Sequence, residues 1–487
     1  MDYFGCCGVR RFRDTLSPVR CCNDRRMTAV TRHKFNDKND KNRVFQSVTE
    51  SSSPAANAAP HEAFSNKYRY YVLALLTLGY VFNFVDRQVM TILIEPIKME
   101  FGATDTQMGL LSGLAFALFY ATLGIPVARL ADRWSRRNVL AISMTTWSAV
   151  TALCATATGF WHLLLLRVGV GIGEAGGTPP SQSLLADYFP PEKRAFAQGV
   201  LATAPNIGIL VGLFGGAVIA EAYGWRSVFL VFGIPGVLLA ILIQTTVREP
   251  LKVSEPADQA QAGLFSALGN IFRLPSFVHI MVGVGFTGIA GYGLGVWSPS
   301  FLVRVHDMSL VDAGLYLGLI GVFGGGLGTI SSGLLADRLA RRNKRWQLWL
   351  PAIGIFLALP TQLAFLLWPA EHRLVMGTID VPFALIFMAL SAVFASFWIA
   401  PSYAAVQNLV PQYWRTQASA LMLLAINLLG MGLGPLLVGL LSDSFSQFGS
   451  ESVRYGLAIG VSLSLFGGLA YLRGSGLYEQ ALRDQAK

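Results

Sequence analysis

Four ionisable residues stand inside two long apolar runs. Asp86 and Arg87 lie in GYVFNFVDRQVM, and Arg167 and Glu174 in LLLLRVGVGIGEAGGTPP. A charge at the centre of a membrane-spanning helix costs about 2.5–3.5 kcal/mol on insertion scales. Such residues therefore pair with one another and mark ion or substrate pathways. Arg167 and Glu174 are seven apart and share a helix face, whereas Asp86 and Arg87 are neighbours, about 100° apart, and cannot point the same way. The four charges sum to zero, so adding one proton leaves the set net positive and attractive to an anion. A carboxylate in a low dielectric holds its proton more firmly, as exchange near neutrality requires. The chemistry expected is proton exchange at Asp86 and Glu174 beside anion binding at Arg87 and Arg167. Asn83, Thr178, Trp297 and Trp398 complete the expected substrate contacts. The plainer reading is a structural ion-pair network, but buried pairs are poor stabilisers in themselves, which favours a function.

The elements that must position these residues are membrane helices. Of 487 residues, 53 % are hydrophobic and only 14 % charged. That is about half the charged share of a soluble domain, too little to coat the surfaces a water-soluble chain of this length would expose. Runs long enough to cross a ~30 Å hydrocarbon core recur with short gaps. They fall at about 69–95, 106–129, 137–159, 161–185, 195–221, 225–246, 277–303, 311–335, 347–368, 381–408, 413–440 and 452–473. The fold class expected is an all-α membrane protein of twelve transmembrane helices in two pseudo-symmetric six-helix bundles. With 1.5 Å of rise per residue, Asp86 and Arg87 lie ~5 Å to one side of the midplane of span one. Arg167 and Glu174 lie ~7 Å and ~3 Å to either side of the midplane of span four, so all four share a central slab.

The net charge is +10. Its basic residues cluster in gaps between spans, notably Arg133, Arg136 and Arg137, and Arg338, Arg341, Arg342, Lys344 and Arg345. This pattern sets topology rather than binding nucleic acid, and it puts both termini in the cytoplasm of a multi-pass inner (plasma) membrane protein. Residues 1–66 form a polar tail expected to be disordered, with Cys6, Cys7, Cys21 and Cys22 as free thiols and with no apolar signal-peptide core. The N-terminal bundle spans 67–248, a cytoplasmic linker 249–276, the C-terminal bundle 277–474 and a short tail 475–487. Within the linker, 262–274 reads equally well as an amphipathic surface helix or as plain linker.

The halves repeat one another. ARLADRWSRRNVL (128–140) is echoed by SGLLADRLARRN (332–343), and FPPEKRAFA (189–197) by VPQYWRTQA (410–418). Asp132, Arg133 and Arg136 with Asp337, Arg338 and Arg341 are the expected latch. Asp132 would accept from amides at a helix start or pair with a nearby arginine, and the set would hold the halves together and release as they rock. ARLADRWSRR resembles the signature of the major facilitator superfamily (MFS) between its second and third helices, with Ala128 and Ser135 where that signature has glycines. The resemblance covers about 69–473 and implies a secondary transporter built of two six-helix repeats.

Glycines 169, 171, 173, 176 and 177 around Glu174 permit close helix packing, and Pro179 and Pro180 are expected to kink the helix. Spans seven to twelve carry no charge in their middle thirds, and their aromatic residues, Phe286, Tyr292 and Trp297 with Phe383, Phe387, Phe394, Phe397, Trp398 and Tyr403, read either as a greasy cargo wall or as packing. FVDRQVMTILIEPIKMEF (84–101), the Arg167–Glu174 helix with GEAGGTPP, and YGWRSVFLVFGIPG (223–236) resemble the Spinster branch of the superfamily. That resemblance matches its Asp-Arg to Asp86 and Arg87 and its Arg and Glu to Arg167 and Glu174. It implies a proton-dependent carrier of lysolipid-like or sphingosine-phosphate-like cargo, in a bacterial member. The expected function is proton-coupled transport of an anionic amphiphile by alternating access. A symporter of small organic or sugar acids is the alternative, and a membrane sensor or enzyme a remote one. Six scattered histidines and the lack of any nucleophile motif leave no enzyme, metal or cofactor expected beyond the proton. The expected partners are the bilayer, the cargo and protons, around a monomer.

Overall fold

The computed structural model describes residues 64–250, 269, 271–377, 379–411 and 414–485. Most of the expected N-terminal tail lies outside them, as does the segment 262–274 except for 269 and 271–274. In lipid every backbone amide must bond within its own segment, so apolar runs of this length become helices.

The first half holds α1 (Asn66–Ile92), α2 (Ile94–Phe101), α3 (Asp105–Arg133), α4 (Arg136–Cys154), α5 (Phe160–Glu174), α6 (Thr178–Tyr188), α7 (Pro191–Tyr223) and α8 (Trp225–Thr246). The second holds α9 (Pro275–His306), α10 (Leu310–Ala340), α11 (Trp346–Leu367), α12 (Ala384–Leu409), α13 (Arg415–Ser444) and α14 (Ser452–Gln485). Among the described residues ten helices are long and apolar enough to cross a membrane. The two expected spans outside that set differ for physical reasons. Hydroxyls at Ser143, Thr145, Thr146, Ser148 and Thr151 dilute the apolar character of α4. The other is broken at Ala175–Gly177 into α5 and α6. Pro179 and Pro180 take the first-turn positions of α6 rather than kinking a continuous helix, because proline fits where an amide has no helical partner.

One feature is absent from the sequence reading. A hairpin joins α11 to α12, with β1 (Arg373–Met376) antiparallel to β2 (Ile379–Pro382). Gly377 takes a positive φ in its turn and Arg373 pairs with Asp380 at 2.6 Å.

The halves meet along two seams, α3 against α13 and α7 against α10. The approach needs glycine. A Cβ on Gly113 would lie 2.7 Å from the Gly432 carbonyl oxygen, and one on Gly314 2.6 Å from that of Leu213. All four seam helices carry a widened π-turn, at Leu110–Leu114, Val211–Gly215, Gly321–Gly325 and Ile426–Leu433. Such turns concentrate where a helix serves function and give each seam helix a local irregularity.

Candidate functional site

The four membrane charges converge as two ion pairs. On α1, successive residues point apart and each reaches a different part of α5. Arg167 Nη1 donates to Asp86 Oδ2 at 3.0 Å, while Arg87 donates to Glu174 Oε2 through Nε and Nη2, both at 2.9 Å. Two further residues complete the cluster. Thr151 Oγ1 on α4 donates to Asp86 Oδ1 at 2.6 Å, and Asn83 Nδ2 donates to Glu174 Oε2 at 2.8 Å. Nothing in the sequence marked Thr151 except its place among the hydroxyls of α4. The glycines of the expected motif make this geometry possible. A Cβ on Gly171 would meet the Phe116 carbonyl at 2.7 Å, and one on Gly173 the Trp147 amide nitrogen at 2.6 Å. With no side chains between them, α3 and α4 press against α5 and hold it beside α1.

Burial separates the four roles. Asp86, Arg167 and Glu174 are 3, 2 and 0 % exposed, while the Arg87 side chain keeps 15 %. Arg167 was expected to contact substrate; it is buried and pairs with Asp86. Arg87 lies over the rings of Phe116 and Tyr120, 5.1 and 4.5 Å from their centroids, a cation–π arrangement that leaves part of its face open. Both Asp86 oxygens accept a hydrogen bond. Glu174 Oε1 is buried with no partner, as is Asn83 Oδ1. A buried carboxylate oxygen without a donor is costly, and taking up a proton relieves that cost.

The second half contributes less wall than expected. Trp297, an expected substrate contact, is 0 % exposed and donates its indole N–H to the Pro435 carbonyl at 2.8 Å, which makes it a packing anchor between α9 and α13. Phe383 stacks on Trp368 and Phe387 meets it at a tilt, Phe394 and Phe397 pack on each other, and Phe286 meets Phe466. Tyr292, Trp398 and Tyr403 remain half-buried, as do Tyr80 and Thr178 across from them.

The expected latch is arranged differently. The side chains of Asp132 and Arg133 lie outside the described residues. Arg136 pairs within its own half, with Asp187 at 2.5 Å and Glu249 at 3.0 Å. A helix-start acceptor here is Glu249. Its carboxylate takes the Arg137 amide at 2.8 Å, the Arg136 amide at 3.3 Å and the Ser135 hydroxyl at 2.8 Å. Burial pushes the Glu249 carboxyl up, but these donors outweigh it and hold it below the usual carboxylate range. Asp337, Arg338 and Arg341 are exposed, and no described residue forms a salt bridge with them.

The charged contacts between the halves lie on the opposite face, where the sequence reading placed nothing. Arg304 at the end of α9 donates twice to Asp105 at 2.8 Å and reaches Glu95 at 2.7 Å. Asp105 also accepts from Lys98 at 2.5 Å and from Ser442 at 2.6 Å. Asp443 at the end of α13 caps the start of α3, taking the amides of Asp105 and Thr106 at 3.0 and 2.8 Å. The contacts of Arg304 with Glu95 and Asp105, of Ser442 with Asp105, and of Asp443 with the amides of Asp105 and Thr106 all join the halves at this face. The halves are thus bonded at the face away from the basic loops. A pocket of about 500 Å³ lined by Glu95, Lys98, Arg304 and Ser452 opens beside the cluster.

Two repeated bundles, a buried charge cluster between helices, and one bonded face are the architecture of a secondary transporter. The Major Facilitator Superfamily model matches residues 76–428. A solved bacterial homolog of the human lysosomal transporter Spinster, in an inward-facing and unoccupied conformation, superposes with a TM-score of 0.72. It shares 30 % identity over 86 % of this chain and 98 % of that one. An MFS-type efflux pump of Mycolicibacterium smegmatis is 36 % identical over 420 residues, 85 % of this chain and 94 % of that one. A probable sulfoacetate transporter of Cupriavidus necator is 27 % identical over 418 residues, 82 % of this chain and 94 % of that one. The chain belongs to the Major Facilitator Superfamily and is a multi-pass membrane transporter of the Spinster type.

Proposed function

We propose that this protein is a proton-coupled carrier that moves an anionic amphiphile across the cell's inner membrane by alternating access, with both termini in the cytoplasm. The observation that carries the reading is Glu174: wholly buried, ion-paired through one oxygen, and unpartnered at the other. In the ionised state Glu174 neutralises Arg87. Protonation of Oε1 removes that neutralisation and leaves Arg87 as a partly open cation beside the aromatic face, ready for an anionic head group. Asp86 stays paired with Arg167 and Thr151 and serves as the second carboxylate of the site. Closure of the Arg304–Asp105 face corresponds to a state open towards the basic, cytoplasmic side.

A second reading has its own support. The similar sulfoacetate transporter handles a small anion without an alkyl chain, and Arg87 would serve a small organic or sugar acid equally well. Purified protein in proteoliposomes separates the two. Under an imposed pH gradient, uptake of a lysophospholipid acid is expected, and uptake of galactonate alone would establish the small-acid reading instead. Glu174→Gln is expected to reduce gradient-driven uptake at least about 10-fold, the scale on which loss of one proton-transfer group acts.

A further inference from the structure

Within the first half, α1, α4, α6 and α8 enclose a small cavity, and every residue that lines it belongs to that half. Asn83 stands at its deep end, beside the charge cluster. Gly79 and Leu76 follow on α1 towards the start of that helix. Leu140, a turn from the start of α4, and Ile243, near the end of α8, line the other end. The start of α4 and the segment leaving α8 meet at the Arg136–Glu249 pair. The cavity therefore runs from Asn83 towards the basic face, inside one bundle and apart from the seams between the halves.

The cavity is of about 10 Å³, the scale that holds a single water, and a buried water needs at least two polar partners. The lining supplies two. Asn83 donates through Nδ2 to Glu174 Oε2 at 2.8 Å, which leaves its Oδ1 buried and without a donor. Ser181 donates its hydroxyl hydrogen to the Gly177 carbonyl at 2.8 Å, so its oxygen is left to accept. A water has two hydrogens to give, one for each oxygen. The Asn83 amide then bonds the water through one atom and Glu174 through the other, which sets the water one side chain away from the carboxylate.

We propose that this cavity is a water site through which Glu174 exchanges its proton with the basic face, by a route inside the first bundle that cargo does not share. The inference rests on the reading of Glu174 as the proton carrier and deepens it. The proton arrives on the water. One O–H bond of the hydrated proton breaks as one forms at Glu174 Oε1, and the water is left neutral. The reverse step returns the proton to the basic face. Asn83 transfers no proton and is a positioning residue for the water. A separate route has a consequence for an amphiphilic cargo, whose chain would displace water from the space between the halves. Protons can still reach Glu174 while that space is filled.

The test is the rate at which the Glu174 carboxylic acid exchanges hydrogen for deuterium. Rapid-mixing infrared spectroscopy of the purified full-length chain in proteoliposomes reads it, with the band assigned by its loss in Glu174→Gln. Gly79 is the place to close the cavity, because a Cβ there meets Met144 at 3.6 Å and Ile243 at 3.9 Å, both ordinary contacts that leave the helices in place. Gly79→Ala is expected to slow carboxyl exchange at least about 10-fold, the scale on which loss of one proton-transfer group acts, while backbone amide exchange keeps its parental rate. Unchanged carboxyl exchange in Gly79→Ala overturns the water route and leaves Glu174 as the proton carrier. Slowing matched by the backbone amides overturns the route too, since it reports a stiffer bundle rather than a closed path. A parent that shows no protonated Glu174 band at any pH at which the chain is folded overturns the proton reading of Glu174 and the route with it.

Discussion

The two oxygens of Glu174 have unequal surroundings. Oε2 takes three donor contacts from Asn83 and Arg87, and Oε1 takes none. Asp86 has no such asymmetry, because Thr151 and Arg167 serve one oxygen each. A shared proton should therefore reside on Glu174. Arg167→Ala would strand a buried carboxylate at Asp86, and a loss of about 3–5 kcal/mol is expected. Thermal unfolding in detergent reads it as a large fall in Tm, whereas a wild-type Tm would mean that Asp86 is not held by Arg167. Thr151→Val is milder, since only one hydrogen bond to a charged group is lost, worth about 1.5–3 kcal/mol. Sequence alone identified all four charges because charge in an apolar run is itself a signal. It did not identify Thr151, since a threonine in a membrane helix usually bonds its own backbone, as Thr145 and Thr146 do here. Trp297 misled for a related reason: an indole next to the expected chamber has the same sequence pattern whether it faces cargo or a carbonyl.

Among the helices, α3, α7, α10 and α13 form the two close-packed seams between halves, and their π-turns and glycines sit where the bundles touch. Gly113→Val and Gly314→Val should wedge these seams apart. With spin labels at the exposed positions Met99 and Gln447 on the bonded face, the distance between halves is expected to lengthen in either variant. Arg304→Gln should lengthen it too, because Asp105 loses its bidentate partner; an unchanged distance in all three would mean that this cluster does not hold the face shut. At the other end of the bundle, Glu249 ties the end of α8 to the start of α4. Its folded value is depressed, so its stabilisation is present above the ordinary glutamate value of about 4.3 and is lost as pH falls through the folded value. The Tm gap between parent and Glu249→Gln should accordingly be open at pH 7 and close in acid. The helices were legible from hydrophobic runs, and the break at Ala175–Gly177 was foreshadowed by the Gly-Pro cluster. The Arg304–Asp105–Asp443 cluster was not, because its members lie at helix ends some 200 to 340 residues apart, where charge is unremarkable.

For the whole molecule, the repeat explains why the two faces behave differently. Both halves carry the Ala-Asp-Arg motif, and just beyond the first copy Arg136 pairs with Asp187 of its own bundle and with Glu249 past the end of α8. The basic face is thereby braced within the first half, and the bonded face holds the contacts that the proposed cycle must break. In the proposed proton-coupled cycle the Arg304 cluster opens when cargo and proton occupy the centre, with Glu174 as the link between them. The most direct test is proton movement itself. Vesicles containing the purified protein and a trapped pH-sensitive dye should acidify or alkalinise when a lysophospholipid acid is added, in proportion to its uptake. Glu174→Gln should bind that cargo and exchange it across the membrane while moving no protons. Equal proton movement by Glu174→Gln and the parent would contradict the account.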